Sequence, residues 1–115
     1  MTDRTHVDHL EDILESADKA MTFTTGMSYE DFAEDDKTVF AVIRALEVIG
    51  EATKRLPDDL RTRHPQIPWH SMAGMRDKLI QDYVNVNERI VWRTVQDELP
   101  AVRRQLRSLL NELEE

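Results

Sequence analysis

Apolar residues recur at every third or fourth position through nearly the whole chain, and only three glycines and four prolines interrupt its 115 residues. That period matches the 3.6-residue helical turn rather than the two-residue alternation of a strand, so an all-α fold is expected. Val7, Leu10, Ile13, Leu14, Ala17 and Met21 line one face of a first helix that ends before Gly26. Ser28 with Asp31 resembles a capping box, with Asp in place of the usual Glu or Gln, and opens a short helix through Phe32. Val39, Phe40, Val42, Ile43, Leu46, Ile49, Gly50 and Thr53 form the broad buried stripe of a long helix stopped by Pro57. The two prolines of His64-Pro-Gln-Ile-Pro-Trp-His mark a loop, and Pro68 suits the first turn of the next helix, which carries Met72, Met75, Leu79 and Ile80 inward. Asn87 is the expected N-cap of a further helix bearing Val91, Trp92 and Val95. Pro100 starts or kinks the last one, with Val102, Leu106, Leu109 and Leu113. The expectation is a bundle of four main helices plus short extra helices, filling residues 1–115 as one domain without repeat or linker.

Composition narrows the function. With no cysteine, neither a disulfide framework nor a thiolate metal site is available. Apolar runs are only a few residues long and the start, Met1-Thr-Asp-Arg-Thr-His, is polar and charged. No signal peptide or spanning helix is therefore expected, and the expected location is the cytoplasm, away from membranes. A net charge of −8 argues against an indiscriminate nucleic-acid coat, DNA included, because such binding neutralises many phosphates with Lys and Arg. The charge is uneven, however. Residues 1–51 hold 13 acids against 4 bases, whereas residues 52–115 hold 10 acids against 11 bases, so any contact with RNA belongs to the second part.

The run Trp69-His-Ser-Met-Ala-Gly-Met-Arg76-Asp-Lys-Leu-Ile-Gln81-Asp82-Tyr83 concentrates the chemistry. At about 100° per residue, Arg76 and Gln81 point roughly 140° apart on a helix, so they converge only where the helix ends or unwinds near Gln81. Elsewhere, His6 and His9 with Asp12 share a helix face and are the one candidate metal cluster, although no further ligand accompanies them. His64 and His70 lie nearer the motif without a spacing that assigns them a role. Glu47 and Glu51, one turn apart on the long helix, are paired carboxylates suited to orienting Arg44 or Arg76. Trp69 and Trp92 sit on apolar stripes and read as core or dimer-contact residues rather than base-stacking platforms, and Trp92, Val95 and Leu99 are expected to form a continued apolar face, more than one small core buries, that favours a homodimer.

Arg76, four spacers, Gln81, one spacer, Tyr83 resembles the signature of the HepT-like toxins of the HEPN superfamily, which is Arg, four spacers, His, one spacer, Tyr. The flanks are similar too: Arg44-Ala-Leu-Glu-Val-Ile-Gly-Glu-Ala upstream, His64-Pro-Gln-Ile-Pro-Trp before the motif and Ile90-Val-Trp92 after it. The resemblance runs from about Phe32 to Leu113. It implies a HEPN-type homodimer whose protomers share a cleft, and a metal-independent RNA endonuclease that is the toxin of a toxin–antitoxin pair. It further implies a cognate minimal nucleotidyltransferase antitoxin that uses ATP and magnesium to AMPylate the motif tyrosine; the toxin chain itself needs no cofactor or metal. By position, Arg76 would bind the scissile phosphate, Tyr83 would be the modification site, Asp82, Arg44, Glu47 and Glu51 would support the cleft, and Gln81 would stand in the place of the catalytic histidine.

That substitution is where the chain departs from the pattern. Imidazole titrates near neutrality and moves protons, whereas a carboxamide only donates or accepts hydrogen bonds. Loss of a general acid/base typically costs about 10²–10⁴ in rate, so this copy is expected to be impaired. A non-catalytic helical module that binds nucleotide or the nucleotidyltransferase is the alternative. A nucleotidyltransferase in its own right is disfavoured, since no Gly-Ser followed by Asp-x-Asp is present.

Overall fold

Local capping and helical period together account for the element order. A computed structural model describes residues 4–81 and 87–114. Helix α1 spans Arg4–Phe23, α2 Tyr29–Glu34, α3 Asp36–Lys54, α4 Asp58–Arg63, α5 Trp69–Gln81, α6 Glu88–Arg93 and α7 Leu99–Glu114. A π-helical stretch, Thr94–Glu98, joins α6 to α7. The four long helical segments are thus α1, α3, α5 and the continuous α6–α7 rod, with α2 and α4 as short additions and no strand among the described residues.

The chain turns after α1 through Gly26, whose φ of +79° is the left-handed conformation that a side chain disfavours. Ser28 then caps α2. Its hydroxyl accepts from the Asp31 amide while the Asp31 carboxylate accepts from the Ser28 amide, each at 3.1 Å. One residue later Asp35 performs two tasks at a sharp corner. Its amide closes α2 onto the Phe32 carbonyl, and its carboxylate begins α3 by accepting from the Thr38 amide at 3.1 Å and the Thr38 hydroxyl at 2.8 Å. Pro57 follows the end of α3 at Lys54 and stands as N-cap of α4, a helix too short to leave a period in the sequence.

One apolar core runs through the bundle, including Leu10, Ile13, Phe32, Val42, Ile49, Met72, Leu99 and Leu106. Helix α3 is its centre, packing on α1 and α5; α1 also meets α7, and α2 lies against α3 and α6. Two expectations about burial are corrected. Phe40 is not part of the buried stripe of α3: it is 73% exposed, because at about 100° per residue it faces roughly opposite Ile49. Val95 and Leu99 do not continue an apolar face outward from Trp92, since they are 1% and 0% exposed inside the protomer's own core.

Pro100 stands in the first turn of α7, as expected, and the rod runs through it without interruption. A proline ring in a regular α-helix collides with the carbonyl four residues back, here that of Gln96. The wider π turn relieves this collision by shifting the register one residue before the ring arrives. The Leu99 amide accordingly reaches the Thr94 carbonyl, five residues back. Leu79 and Ile80, expected to point inward, have side chains outside the described set.

The capping interactions with Thr38 hold the Asp35 carboxyl below its ordinary value. A group whose pKa is lowered on folding contributes stability above its unfolded pKa and loses it as pH falls through the folded one. Asp35→Ala is therefore expected to lower the melting temperature at neutral pH, with the gap to the parent closing as pH is taken below the carboxylate range. Thermal melts of both proteins across that range check this, and a pH-independent gap would contradict it.

Candidate active site

The approach to α5 is built from the loop after α4. The indole Nε1 of Trp69 donates to the His64 carbonyl at 2.9 Å, and the Met72 amide starts the helix on the Pro68 carbonyl at 3.0 Å. Ile67, Trp69 and Met72 are buried, and Gln105 of α7 donates to the Gln66 carbonyl at 3.0 Å. Trp69 therefore serves the core and pins the loop, which leaves its ring unavailable for base stacking.

Farther along, α5 is tied to α3 by a salt bridge absent from the sequence reading: Lys54 Nζ lies 2.7 Å from both carboxylate oxygens of Asp77. At this exposure such a pair contributes about 0–1 kcal/mol, so its value is orientation rather than stability. It fixes the helical position immediately beside Arg76. Nothing local could have signalled it, because the partners are 23 residues apart.

Arg76 and Gln81 lie on the same helix, five positions apart, Gln81 being its last residue. Their side chains are outside the described set, as are Asp82 and Tyr83 entirely, so the expected helix end beyond Gln81 also lies outside the described residues. The chain resumes at Asn87, the expected N-cap of α6, whose side-chain oxygen accepts from the Arg89 and Ile90 amides at 3.1 and 3.2 Å. The motif thus begins on α5 and precedes α6 in the chain.

On α3, Arg44, Glu47 and Glu51 share the outward stripe with Phe40, within an arc of about 60°. Arg44 is 3.9 Å from Glu47 in a long, within-helix ion pair. His64 contributes its carbonyl to the Trp69 contact, and His70 is exposed on the first turn of α5. His9 Nδ1 is buried without a hydrogen bond, and no group of three His, Asp or Glu side chains is arranged to hold a metal among the described residues. Among them, too, no helix is long and apolar enough to cross a membrane.

An all-α bundle whose polar motif begins on α5 is the class that fold and site define. The family model described as "Ribonuclease HepT-like" matches residues 13–109. A "Probable ribonuclease HepT" of Thermococcus cleftensis is 51% identical over 100 residues, covering 87% of this chain and 91% of the relative. Relatives in Caldanaerobacter subterraneus subsp. tengcongensis and Methanocaldococcus jannaschii, each bearing a provisional RNase name, are 43% and 44% identical, covering 89% and 92% of this chain and 91% of each relative. No solved structure matches the chain. The chain belongs to the HepT-like ribonuclease family.

Proposed function

We propose that this chain is the toxin of a type VII-like toxin–antitoxin pair: a metal-independent RNA endonuclease, active as a homodimer, whose present copy is impaired by Gln81. The observation that carries the reading is the family match over residues 13–109, which contains the whole spacing Arg76, Gln81, Tyr83. In the reaction, the ribose 2′-OH attacks the adjacent phosphorus, its proton passes to a base, and the 5′ oxygen leaves with a proton from an acid. The products are a 2′,3′-cyclic phosphate and a free 5′-OH. Arg76 would hold the phosphate, stabilising the charge that builds on its oxygens. Gln81 occupies the proton-transfer position with a group that does not titrate. The same substitution favours the second reading, a non-catalytic module that binds nucleotide or a nucleotidyltransferase partner.

Because only proton transfer is missing, Gln81→His is expected to raise RNA cleavage by about two orders of magnitude or more, the usual worth of a positioned general acid/base. Cleavage should persist in EDTA, and Arg76→Ala in the Gln81→His background should abolish it. Absence of cleavage by Gln81→His, with no toxicity on expression alone, would replace the ribonuclease reading with the binding module.

Control is assigned to a cognate minimal nucleotidyltransferase that transfers AMP from ATP to the Tyr83 hydroxyl with release of pyrophosphate. The new phosphate diester would set negative charge beside Arg76 and occupy it by a charge-assisted contact. Incubation with that partner, ATP and magnesium should raise the intact mass by whole AMP units in the parent and not in Tyr83→Phe. An equal gain in both proteins would refute the assignment.

The homodimer follows from the family resemblance, and Phe40, 73% exposed on α3 in the same stripe as Arg44, Glu47 and Glu51, is assigned as its contact residue. Phe40→Asp is expected to convert a dimer to a monomer in sedimentation while leaving the helical circular dichroism unchanged. A parent that is monomeric at micromolar concentration would overturn this.

A further inference from the structure

Four side chains form a graded stack from the core to the solvent beside the motif. Phe32 is fully buried; Trp92 packs on it with ring centroids 5.4 Å apart, and Tyr29 meets Trp92 edge-on at 6.3 Å and 66°. The Arg89 guanidinium caps the Tyr29 ring, its central carbon 4.0 Å from the centroid. Trp92 and Tyr29 are half-buried and Arg89 is exposed. A guanidinium held over a ring by cation–π attraction keeps its N–H edge free, and that edge matches the geometry of a phosphate.

Among the described residues Arg89 shares the lack of a carboxylate partner with Arg55 and Arg104, and the Tyr29 ring beneath it is what sets it apart. The chain has 23 acids against 15 bases, and Arg44, Arg61, Arg63, Arg103 and Arg107 each lie against a carboxylate. Neither Arg89 nor Arg93, one turn further along α6 and also exposed, forms an ion pair among the described residues. Two unneutralised guanidiniums about 6 Å apart along the axis therefore face solvent on one short helix. Their position is tied to the motif by chain length: the four residues from Tyr83 to Asn87 span at most about 14 Å.

We infer that Arg89, braced by Tyr29 and assisted by Arg93, is a phosphate-binding subsite for single-stranded RNA flanking the cleaved bond, a role that rests on the ribonuclease reading. A flanking contact of this kind positions the strand without touching the reacting atoms. It also gives a chain of net charge −8 a local cationic contact for RNA close in sequence to the motif.

The test is fluorescence anisotropy of the full chain with a short labelled single-stranded RNA over a range of salt, with KM in the Gln81→His background as a second readout. Arg89→Gln is expected to weaken binding, or raise KM, about tenfold. It should also lower the slope of log affinity against log salt by about 0.7, the value of one phosphate contact on a single strand. Arg89→Lys should retain the slope. If Arg89→Gln lowers the melting temperature but leaves affinity and salt slope at parental values, Arg89 merely braces Tyr29 and the subsite is overturned. Unchanged affinity in Arg89→Gln alongside a loss in Arg76→Gln overturns the subsite and leaves the ribonuclease reading standing. A parent that binds no RNA, together with a Gln81→His protein that cuts none, overturns both.

Discussion

Everything in this bundle depends on α3 burying two sides at once. Its inward residues, Val39, Val42, Ala45, Leu46, Ile49, Gly50, Ala52 and Thr53, cover an arc of about 160°, too wide for one neighbour, and α1 and α5 share it. Each large aliphatic side chain on that arc contributes about 1.5–3 kcal/mol by leaving water. Against a net stability of about 5–15 kcal/mol for a domain of this class, the placement of α5 is set by the core and not by its polar residues. The Thr53 hydroxyl, buried on the same arc, is satisfied locally by the Ile49 carbonyl at 2.7 Å, so polarity enters the core without an unpaired donor. On the opposite side of α3 an outward stripe holds Phe40, Arg44, Glu47 and Glu51. Helix α5, seated by Met72 and Trp69 and braced by Lys54, presents Arg76 and Gln81 at fixed backbone positions.

The second constraint is continuity between α6 and α7. Without the π turn, Pro100 would kink the rod, and α6 would leave the surface against which α2 packs. With it, Val95 and Leu99 remain buried and Trp92 keeps its contact with Phe32. The stack that ends in Arg89 is therefore a consequence of how the rod passes a proline. Thr94 marks the same passage: its hydroxyl donates to the Ile90 carbonyl at 2.8 Å, a local hydrogen bond of the kind that bends helices.

The helices were legible in the sequence wherever a physical signal was local. The Ser28–Asp31 box, the Asn87 cap and the three- and four-residue stripes each involve residues within one turn, and the structure forms them. Phe40 was misassigned because an apolar residue beside a stripe looks like part of it until the angle to Ile49 is counted. Helix α4 is hard to see in the sequence because six residues carry too little period, although Pro57 followed by Asp58 and Asp59 is a start signal. The Lys54–Asp77 pair and the Tyr29–Arg89 contact join residues far apart in sequence. No spacing rule reaches across such separations. The motif was legible only through resemblance: five positions on a helix do not by themselves bring Arg76 and Gln81 together.

Fold and chemistry are separable here in a way that makes Gln81 informative. The described core seats α5 through Trp69 and Met72, more than two turns before position 81. Histidine and glutamine have similar reach and both hydrogen-bond, and a substitution of this kind near a helix end usually changes stability by no more than about 1 kcal/mol. Proton transfer is different in scale, since a factor of 10²–10⁴ in rate corresponds to about 3–6 kcal/mol of barrier. A chain of this family can therefore lose its acid/base group while keeping its bundle, its α6 stack and its exposed arginines. On the proposed reading, binding by the motif would then outlast cleavage, because Arg76 would act by charge and geometry and need no proton from its neighbour.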